Sequence, residues 1–532
     1  SYQEFATVIR NFDGYRAQPV MIQNFAEGIP GKNGREWLQT ALDEIEEDFP
    51  EIHGLVSGEL PANLQDAFEA FSSTRSFGES APFIASEKLF QEDTEAEWHS
   101  DFVRKTDQGF DLMIDGKPFY VQGVAYNATH DWRDGYLPLT RRQLTKDFSR
   151  ISQMGANTIR RYGNSGIYEK NVLNIAEEHE LKVLYGLWFD PSVDYYADSA
   201  AVEKIRRQAL ATVRKFKDYP AVLGWTLGNE TWASLKYNFA PPYLSRVRRA
   251  HIRLVEEIAR EIKAIDPNHP LFIALEHNHE LTACMDAYRR FAPSVDIIGV
   301  NTYYGQRIES LEAIANTYIP DRPYLVSSFG PVKYWDPSTP GYAGNLIPQE
   351  NTSYEKAQLY GRTWAQQVEV HKGSNIGGIA FCWSDRMEGT ATWFGITDFK
   401  GRLKPSYYAL KNVWKKEKNA PPLYEAYING PGYSLERGKT YTFRAVTENN
   451  RSWNMTYEWF LMREKYLDDS GDVKLAFNGK EASISIPEDG YSYRLYLYIS
   501  DYYGNVVTAS MPVDIRETNN APAETAQTLT GK

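Results

Sequence analysis

Eight short apolar runs, most of them followed by a segment with helical spacing, constrain the fold of this chain more than any other feature. The runs are Gln122–Tyr126, Thr158–Tyr162, Val183–Trp188, Val222–Leu227, Leu271–Leu275, Ile297–Asn301, Tyr324–Ser327 and Ile376–Trp383. Between them, Arg141–Met154, Tyr168–His179, Ala200–Lys217 and Leu244–Ile265 place apolar residues at helical intervals. A strand covered by helices on both faces is apolar throughout, and parallel neighbours need a helical crossover. Eight such units in roughly 300 residues predict an α/β fold, a (β/α)8 TIM barrel over residues 105–418. Chemistry on that fold sits at the C-terminal ends of the strands.

The flanks read differently. Residues 1–104 show helical spacing at Gly34–Glu51 and Pro61–Ser73, interrupted by Gly28–Gly31 and Ser76–Pro82. They predict an irregular, partly helical N-terminal segment. Phe110–Ile114 and Pro118–Val121 flank the turn Asp115-Gly116-Lys117 and predict a hairpin leading into the barrel. After the linker Lys415–Pro422, period-two alternation at 441–446, 455–461, 482–486 and 493–499 predicts an immunoglobulin-like β-sandwich over 421–516. The Thr-, Ala- and Asn-rich stretch 517–532 predicts a disordered tail.

Composition narrows the partners. A net charge of -12 offers no electrostatic footprint for nucleic acid. No apolar run is long enough to span a bilayer. Cys284 and Cys382 lie in no metal-binding or redox spacing, so neither a metal nor a cofactor is expected. Aromatic residues make up 14% of the chain, with 13 Trp and 36 Tyr, an excess that fits platforms for sugar rings. The start Ser1-Tyr2-Gln3 lacks an initiator Met and a leader pattern, and a processed chain with a periplasmic or extracellular location is the expectation.

The strand ends gather polar chemistry. The fourth run stops at Gly228-Asn229-Glu230, which puts an acid at the barrel mouth; the competing reading is that Glu230 caps the segment after it. Other runs end in Arg160-Arg161, Glu276-His277-Asn278, Asn301-Thr302-Tyr303-Tyr304 and Trp383-Ser384-Asp385. Arg, carboxylate, amide and Tyr around one mouth suit a reaction that protonates a leaving oxygen and positions hydroxyls. Trp188, Trp232, Trp335, Trp393, His130 and Trp132 are further candidates for the cleft, each weighed against plain packing.

Several motifs carry a family resemblance: Asn157-Thr158-Ile159-Arg160, Gly228-Asn229-Glu230, Ile298–Gly305, and Trp383 followed by Gly395–Asp398, Lys404-Pro405 and Tyr407-Tyr408. Residues 105–415 resemble the retaining β-glycoside hydrolases built on (β/α)8 barrels, above all the family 2 catalytic domain of β-galactosidases, β-mannosidases and β-glucuronidases. The resemblance implies an oligosaccharide or polysaccharide substrate, with endo-glucanases and β-glucanosyltransferases as related activities. It implies Glu230 as general acid/base, Asn229 as a contact to a sugar hydroxyl, Arg160 and Tyr303 as supports of the nucleophile, and Trp383 as a stacking platform. Glu276, His277, Asn301, Trp188 and Trp393 complete the expected substrate-binding set. The N-terminal sugar-binding sandwich and the immunoglobulin-like domain that usually precede a family 2 barrel are replaced by residues 1–104.

One position departs from the pattern. The seventh-strand motif should end in Ser/Thr-Glu-Phe/Tyr-Gly with Glu as nucleophile, but the chain reads Pro323-Tyr324-Leu325-Val326-Ser327-Ser328-Phe329-Gly330. Ser328 stands at the nucleophile position. A retaining mechanism needs a second carboxylate about 5 Å from the acid/base, so hydrolysis should be weak or lost. Two explanations stay open. One is a nucleophile-to-Ser variant, a glycosynthase or substrate-trapping form. The other is a natural carbohydrate-binding pseudoenzyme, or a relative that relocated the nucleophile to Glu276, Glu350, Asp336, Asp385 or Glu388.

Overall fold

The computed structural model describes residues 98–513 apart from 127–129, 132–134, 137–138, 164–167, 304–305, 335–348, 387, 433–434, 450–453, 464–472 and 489–492. The predicted helices before residue 98, the tail from 517, and Trp132, Tyr304, Trp335 and Asp336 lie outside the described residues.

Strands β4 (Val121–Ala125), β7 (Thr158–Arg161), β8 (Lys182–Leu187), β9 (Val222–Leu227), β10 (Leu271–Glu276), β11 (Ile297–Asn301), β12 (Tyr324–Phe329) and β13 (Asn375–Ala380) form a closed barrel. They are the eight predicted runs, and the (β/α)8 barrel is the fold. β7, β9, β11, β12 and β13 are buried at every residue, as a sheet covered on both faces must be. The seam between β13 and β4 pairs Gly377 with Val121. Gly377 has φ 120°, and a Cβ there would stand 2.1 Å from the Val121 carbonyl oxygen, so only glycine lets these strands close.

Before the barrel, β1 (Val103–Thr106), β2 (Gly109–Ile114) and β3 (Lys117–Pro118) make a small antiparallel sheet. The predicted hairpin is therefore shorter than expected: Met113 pairs with Pro118, and Val121 already belongs to β4 of the barrel. β5 (His130–Asp131) and β6 (Gly135–Tyr136) pair in the loop after β4. The helices are α1 (Arg141–Gln153), α2 (Glu169–Glu178), α3 (Ser199–Phe216), α4 (Thr231–Ser234), α5 (Tyr243–Ile265), α6 (Leu281–Phe291), α7 (Gln306–Tyr318), α8 (Ser353–Thr363) and α9 (Pro405–Lys415). The chain divides into two compact units. One holds Leu187–Lys215 and Leu227–Asp296; the other holds Asp101–Gly186, Phe216–Thr226 and everything from Ile297 on.

The C-terminal region contains two antiparallel sheets. One is β14 (Leu423–Asn429), β15 (Thr440–Asn449) and β18 (Glu481–Ser485), in that order. The other runs β17 (Val473–Asn478), β16 (Met455–Arg463), β19 (Tyr493–Asp501) and β20 (Val506–Val513). Period-two alternation had marked β15, β16, β18 and β19; β14, β17 and β20 escaped it. Leu423, Phe443 and Ile484 of the first sheet meet Trp459, Leu495, Leu497 and Val507 of the second in one core. β19 is buried on both faces. Its alternate residues Tyr496 and Tyr498 pack with Phe460, Met462 and Val506 against Ala391 and Phe399 of the segment after β13. The sandwich is thereby fastened to a loop that leaves a barrel strand.

Glu425 on β14 marks the same junction. It is buried, and its Oε1 accepts from the Thr352 hydroxyl at 2.5 Å and from the Tyr354 amide at 3.0 Å. Burial pushes its carboxyl up to about 7, against those hydrogen bonds. A carboxyl whose folded pKa lies above its unfolded value favours the folded state at low pH and weakens it as pH rises through the folded pKa. Stability should therefore decline between pH 4.5 and about 7. Glu425→Gln keeps an acceptor without the charge and should remove part of that decline, on the order of 2 kcal/mol, in thermal unfolding followed across pH. Identical pH slopes for the native protein and the variant would contradict the assignment.

Candidate active site

In the larger unit, Arg160 on β7 is 1% exposed and organises the strand ends around it. Its Nη1 donates to Asn301 Oδ1 at 2.9 Å on β11, to the Ser327 carbonyl at 2.6 Å on β12, and to Tyr162 Oη at 3.3 Å. The Ser327 hydroxyl donates to the same Asn301 Oδ1 at 2.8 Å. Ser328 is fully buried, and its Oγ shares a 3.1 Å hydrogen bond with Tyr303 Oη. The Thr302 amide donates to the Ser328 carbonyl at 2.8 Å, and the Lys333 ammonium lies 5.3 Å from the centre of the Tyr303 ring. The structure thus brings together Arg160, Asn301, Tyr303 and Ser328 of the expected set.

β12 runs two residues past its predicted end, so Ser328 stands within the strand. Trp383 and Trp393 had been expected to present faces to a sugar. Both are packed inside the protein, at 1% and 2% exposure. Trp383 meets Tyr407 edge-on, while Trp393 donates to the Val332 carbonyl at 2.9 Å and meets Tyr334 edge-on.

Two carboxylates considered as relocated nucleophiles are committed to closed networks. Asp385 is buried against Lys404 at 2.6 Å and accepts from the Gly395 amide; burial pushes it up to about 6 despite Lys404. Glu350 pairs with Lys356 and accepts from the hydroxyls of Thr390, Thr392 and Ser510. Against the upward pull of burial, Lys356 and these hydroxyls hold it down to about 2. Both carboxylates are engaged by partners inside the protein.

In the smaller unit, β9 ends at Leu227 and the chain turns sharply through Gly228 to Glu230. Gly228 has φ 79°, and a Cβ there would stand 2.8 Å from Thr231 Oγ1 and 3.2 Å from Phe189. Glu230 itself adopts a left-handed backbone with φ 53°. Its amide donates to the Ala274 carbonyl of β10 at 2.8 Å, and its carbonyl accepts from Ser234 as α4 begins. A non-glycine residue in this conformation carries backbone strain, as Asp115, Glu180 and Lys416 also do at turns and helix ends. Glu230 and Asn229 are half-buried, as is Glu276, whose Oε2 accepts from Asn278 at 2.9 Å; His277 is buried. Trp188, just past β8, remains 42% exposed.

Sequence reasoning missed Arg248 on α5. Its guanidinium holds both Glu280 carboxylate oxygens at 2.9 Å, donates to the Trp232 carbonyl at 3.2 Å and stacks over the Trp232 ring. One buried cation thereby ties the segment after Glu230 to the loop after β10, which follows Glu276. Against the upward effect of burial, Arg248 keeps Glu280 below the usual carboxylate range. The helical pattern around Arg248 marks only a covered face, so nothing in the sequence pointed to this role. Among the described residues no group of three His, Cys, Asp or Glu could hold a metal ion, and no helix is long and apolar enough to cross a membrane.

Residues 96–305 match the family model described as glucanosyltransferase. The β-glucuronidase of Pongo abelii is 29% identical over 200 residues, 36% of this chain and 26% of that protein. The β-glucuronidase of Rattus norvegicus is 31% identical over 198 residues, with the same coverage. The matched segment spans about a quarter of the length of these curated relatives. Among solved structures, Bacteroides uniformis β-glucuronidase 2 covalently bound to cyclophellitol-6-carboxylate aziridine is similar with a TM-score of 0.46 at 16% identity, over 77% of this chain and 47% of that one. The chain is a (β/α)8-barrel protein with glycoside hydrolase relatives in sequence.

The Gly228–Glu230 turn yields opposite expectations for neighbouring positions. Glu230→Gly relieves the left-handed strain and should raise stability by roughly 1 kcal/mol. Gly228→Ala forces a Cβ into a crowded positive-φ site and should lower stability by about 1–3 kcal/mol. Chemical denaturation of the two variants checks both signs; a destabilised Glu230→Gly protein would show that the turn is unstrained.

Proposed function

We propose that this barrel is a glycosyl-transfer scaffold for β-linked glycans of gluco configuration, with Glu230 as acid/base and Ser328 at the position of the nucleophile. The observation that bears most on this reading is the Ser328 environment. Tyr303 Oη shares a hydrogen bond with Ser328 Oγ, Arg160 holds the Ser327 carbonyl and Asn301 Oδ1 next to it, and the position itself carries a short neutral hydroxyl. The family match to glucanosyltransferases and the β-glucuronidase relatives support a donor of gluco configuration, either glucose or glucuronic acid. Glu230 follows the end of β9 and Ser328 stands near the end of β12, and strand ends of this fold are where its chemistry is carried.

The chemistry follows from what each group lacks. In a retaining reaction a carboxylate attacks the anomeric carbon while the acid/base protonates the leaving oxygen. A serine with no adjacent base does not supply that first step. Glu230 retains the second half: it takes the proton of an acceptor hydroxyl as that oxygen attacks an already activated anomeric carbon. With an α-glycosyl fluoride, the C–F bond breaks, fluoride leaves, and a β C–O bond forms.

A second reading is a natural glycan-binding protein without turnover. It is favoured by the closed networks around Asp385 and Glu350, which leave neither available to replace the nucleophile.

One assay separates the readings. The protein is incubated with α-glucosyl or α-glucuronosyl fluoride and a sugar acceptor, and β-linked product is compared with release of reducing sugar from that product. The glycosyl-transfer reading expects product to accumulate without being hydrolysed. Glu230→Ala should slow coupling by about a hundredfold, the scale of a lost general base. Binding of glycan with no coupling supports the non-catalytic reading. Rapid hydrolysis of the β-linked product would show that another group acts as nucleophile.

A further inference from the structure

Lys333 lies four residues past β12 and is 5% exposed, deep burial for a lysine. Its ammonium stands 5.3 Å from the centre of the Tyr303 ring. Removing an ammonium from water is costly, and the face of an aromatic ring offsets part of that cost when both groups are held together away from solvent.

The Tyr303 ring is held by its neighbours. Phe381 meets it edge-on at 6.1 Å, and Phe394 lies against it at 5.5 Å. Gly330, between Ser328 and Lys333 in sequence, leaves the space this packing needs: a Cβ there would stand 3.1 Å from the Phe381 carbonyl oxygen and 3.4 Å from Tyr303 Cδ1. Tyr360 on α8 donates to the carbonyls of Phe381 and Phe394. The cation, the phenol and the two phenylalanines therefore form one packed group.

Tyr303 joins that group to position 328, its Oη lying 3.1 Å from Ser328 Oγ. Against a hydroxyl the phenol can donate or accept, but against an anion it can only donate. A cation on the ring face strengthens the donor, because it stabilises the negative charge that builds on the phenol oxygen. The ionisable members of the network are Arg160 from β7, Tyr162 after it, Tyr303 after β11, Lys333 after β12 and Tyr360 from α8. Both charged members are cations, and their field favours the ionised form of an acid at 328 over its neutral form.

We propose that Lys333 is a positioning residue for the group at 328. Its ammonium holds the Tyr303 ring in register with that position and, through the phenol, keeps an acidic side chain there ionised. The proposal rests on the reading of 328 as the nucleophile position and adds the charge that a nucleophile there would need.

The test uses the full chain and needs no sugar. In Ser328→Cys, the ultraviolet absorbance of the thiolate follows the introduced thiol across pH. Cys284 and Cys382 do not interfere, since burial pushes both thiols above the ordinary range, and the unsubstituted protein supplies the baseline. The introduced thiol should titrate at or below the usual value of about 8.5. Adding Lys333→Met should raise that value by about one unit, roughly a tenfold loss of thiolate at a fixed pH. Lys333→Arg keeps a cation able to stack on the ring and should preserve the low value. On a Tyr303→Phe background the effect of Lys333→Met should shrink, because the phenol that carries it is gone. Thermal midpoints confirm that each variant is folded, and Lys333→Gln takes the place of Lys333→Met where the methionine variant does not fold. A thiol that stays protonated to high pH with Lys333 in place, an unchanged value in Lys333→Met, a Lys333→Arg protein that behaves like Lys333→Met, or an undiminished effect without the Tyr303 hydroxyl overturns the proposal. A thiol that responds as expected while Ser328→Glu hydrolyses no β-glycoside leaves the proposal standing and overturns the glycan reading.

Discussion

The buried guanidinium of Arg160 is the constraint on which the larger unit's share of the barrel mouth depends. A cation removed from water costs several kcal/mol unless hydrogen bonds replace its hydration. Here Asn301 Oδ1, the Ser327 carbonyl and the face of Tyr162 receive it. Satisfying it fixes the ends of β7, β11 and β12 relative to one another, and Tyr303 and Ser328 take their positions from those ends. A lysine would end in a compact ammonium without the planar guanidinium that lies over the Tyr162 ring.

The segment after β13 is held as firmly, by a different device. Asp385 and Lys404 pair inside the protein, Glu350 and Lys356 pair nearby, and Ser510 of the sandwich donates to Glu350. Arg402 bridges Asp398 to Glu458 on β16, and Phe399 packs with Tyr498 of β19. The C-terminal sheets therefore act as a scaffold for the loop that carries Trp393. Trp383 and Trp393 are buried against other neighbours, Tyr407 for the first and Tyr334 with the Val332 carbonyl for the second.

How much of this was legible in the sequence follows from the range of each interaction. Parallel strands buried on both faces leave an apolar run that any reading detects, and all eight were located to within about three residues. The step from Leu227 to Asn229-Glu230 marked the acid because polarity changes abruptly at a strand end. β14, β17 and β20 were missed because their sequences do not alternate polar with apolar cleanly, and their identity comes from pairing with other strands. Arg248, the Asp385–Lys404 pair and the burial of Trp393 are products of tertiary contact. A periodic pattern records which residues are covered and says nothing about what covers them. The left-handed backbone of Glu230 is likewise invisible in a residue string, although Gly228 beside it is a partial sign.

The central claim is that the Ser328 pocket is a nucleophile site with its carboxylate missing. The most direct measurement is intact-protein and peptide mass spectrometry of Ser328→Glu after incubation with a 2-deoxy-2-fluoro-β-glucosyl or β-glucuronosyl donor bearing a good leaving group. Such donors form a glycosyl ester on a nucleophilic carboxylate and release it slowly. The account predicts a single glycosyl adduct on the peptide containing residue 328, and no adduct on the unsubstituted protein. An adduct on another carboxylate, or none on the folded Ser328→Glu protein with donors that it binds, would contradict it.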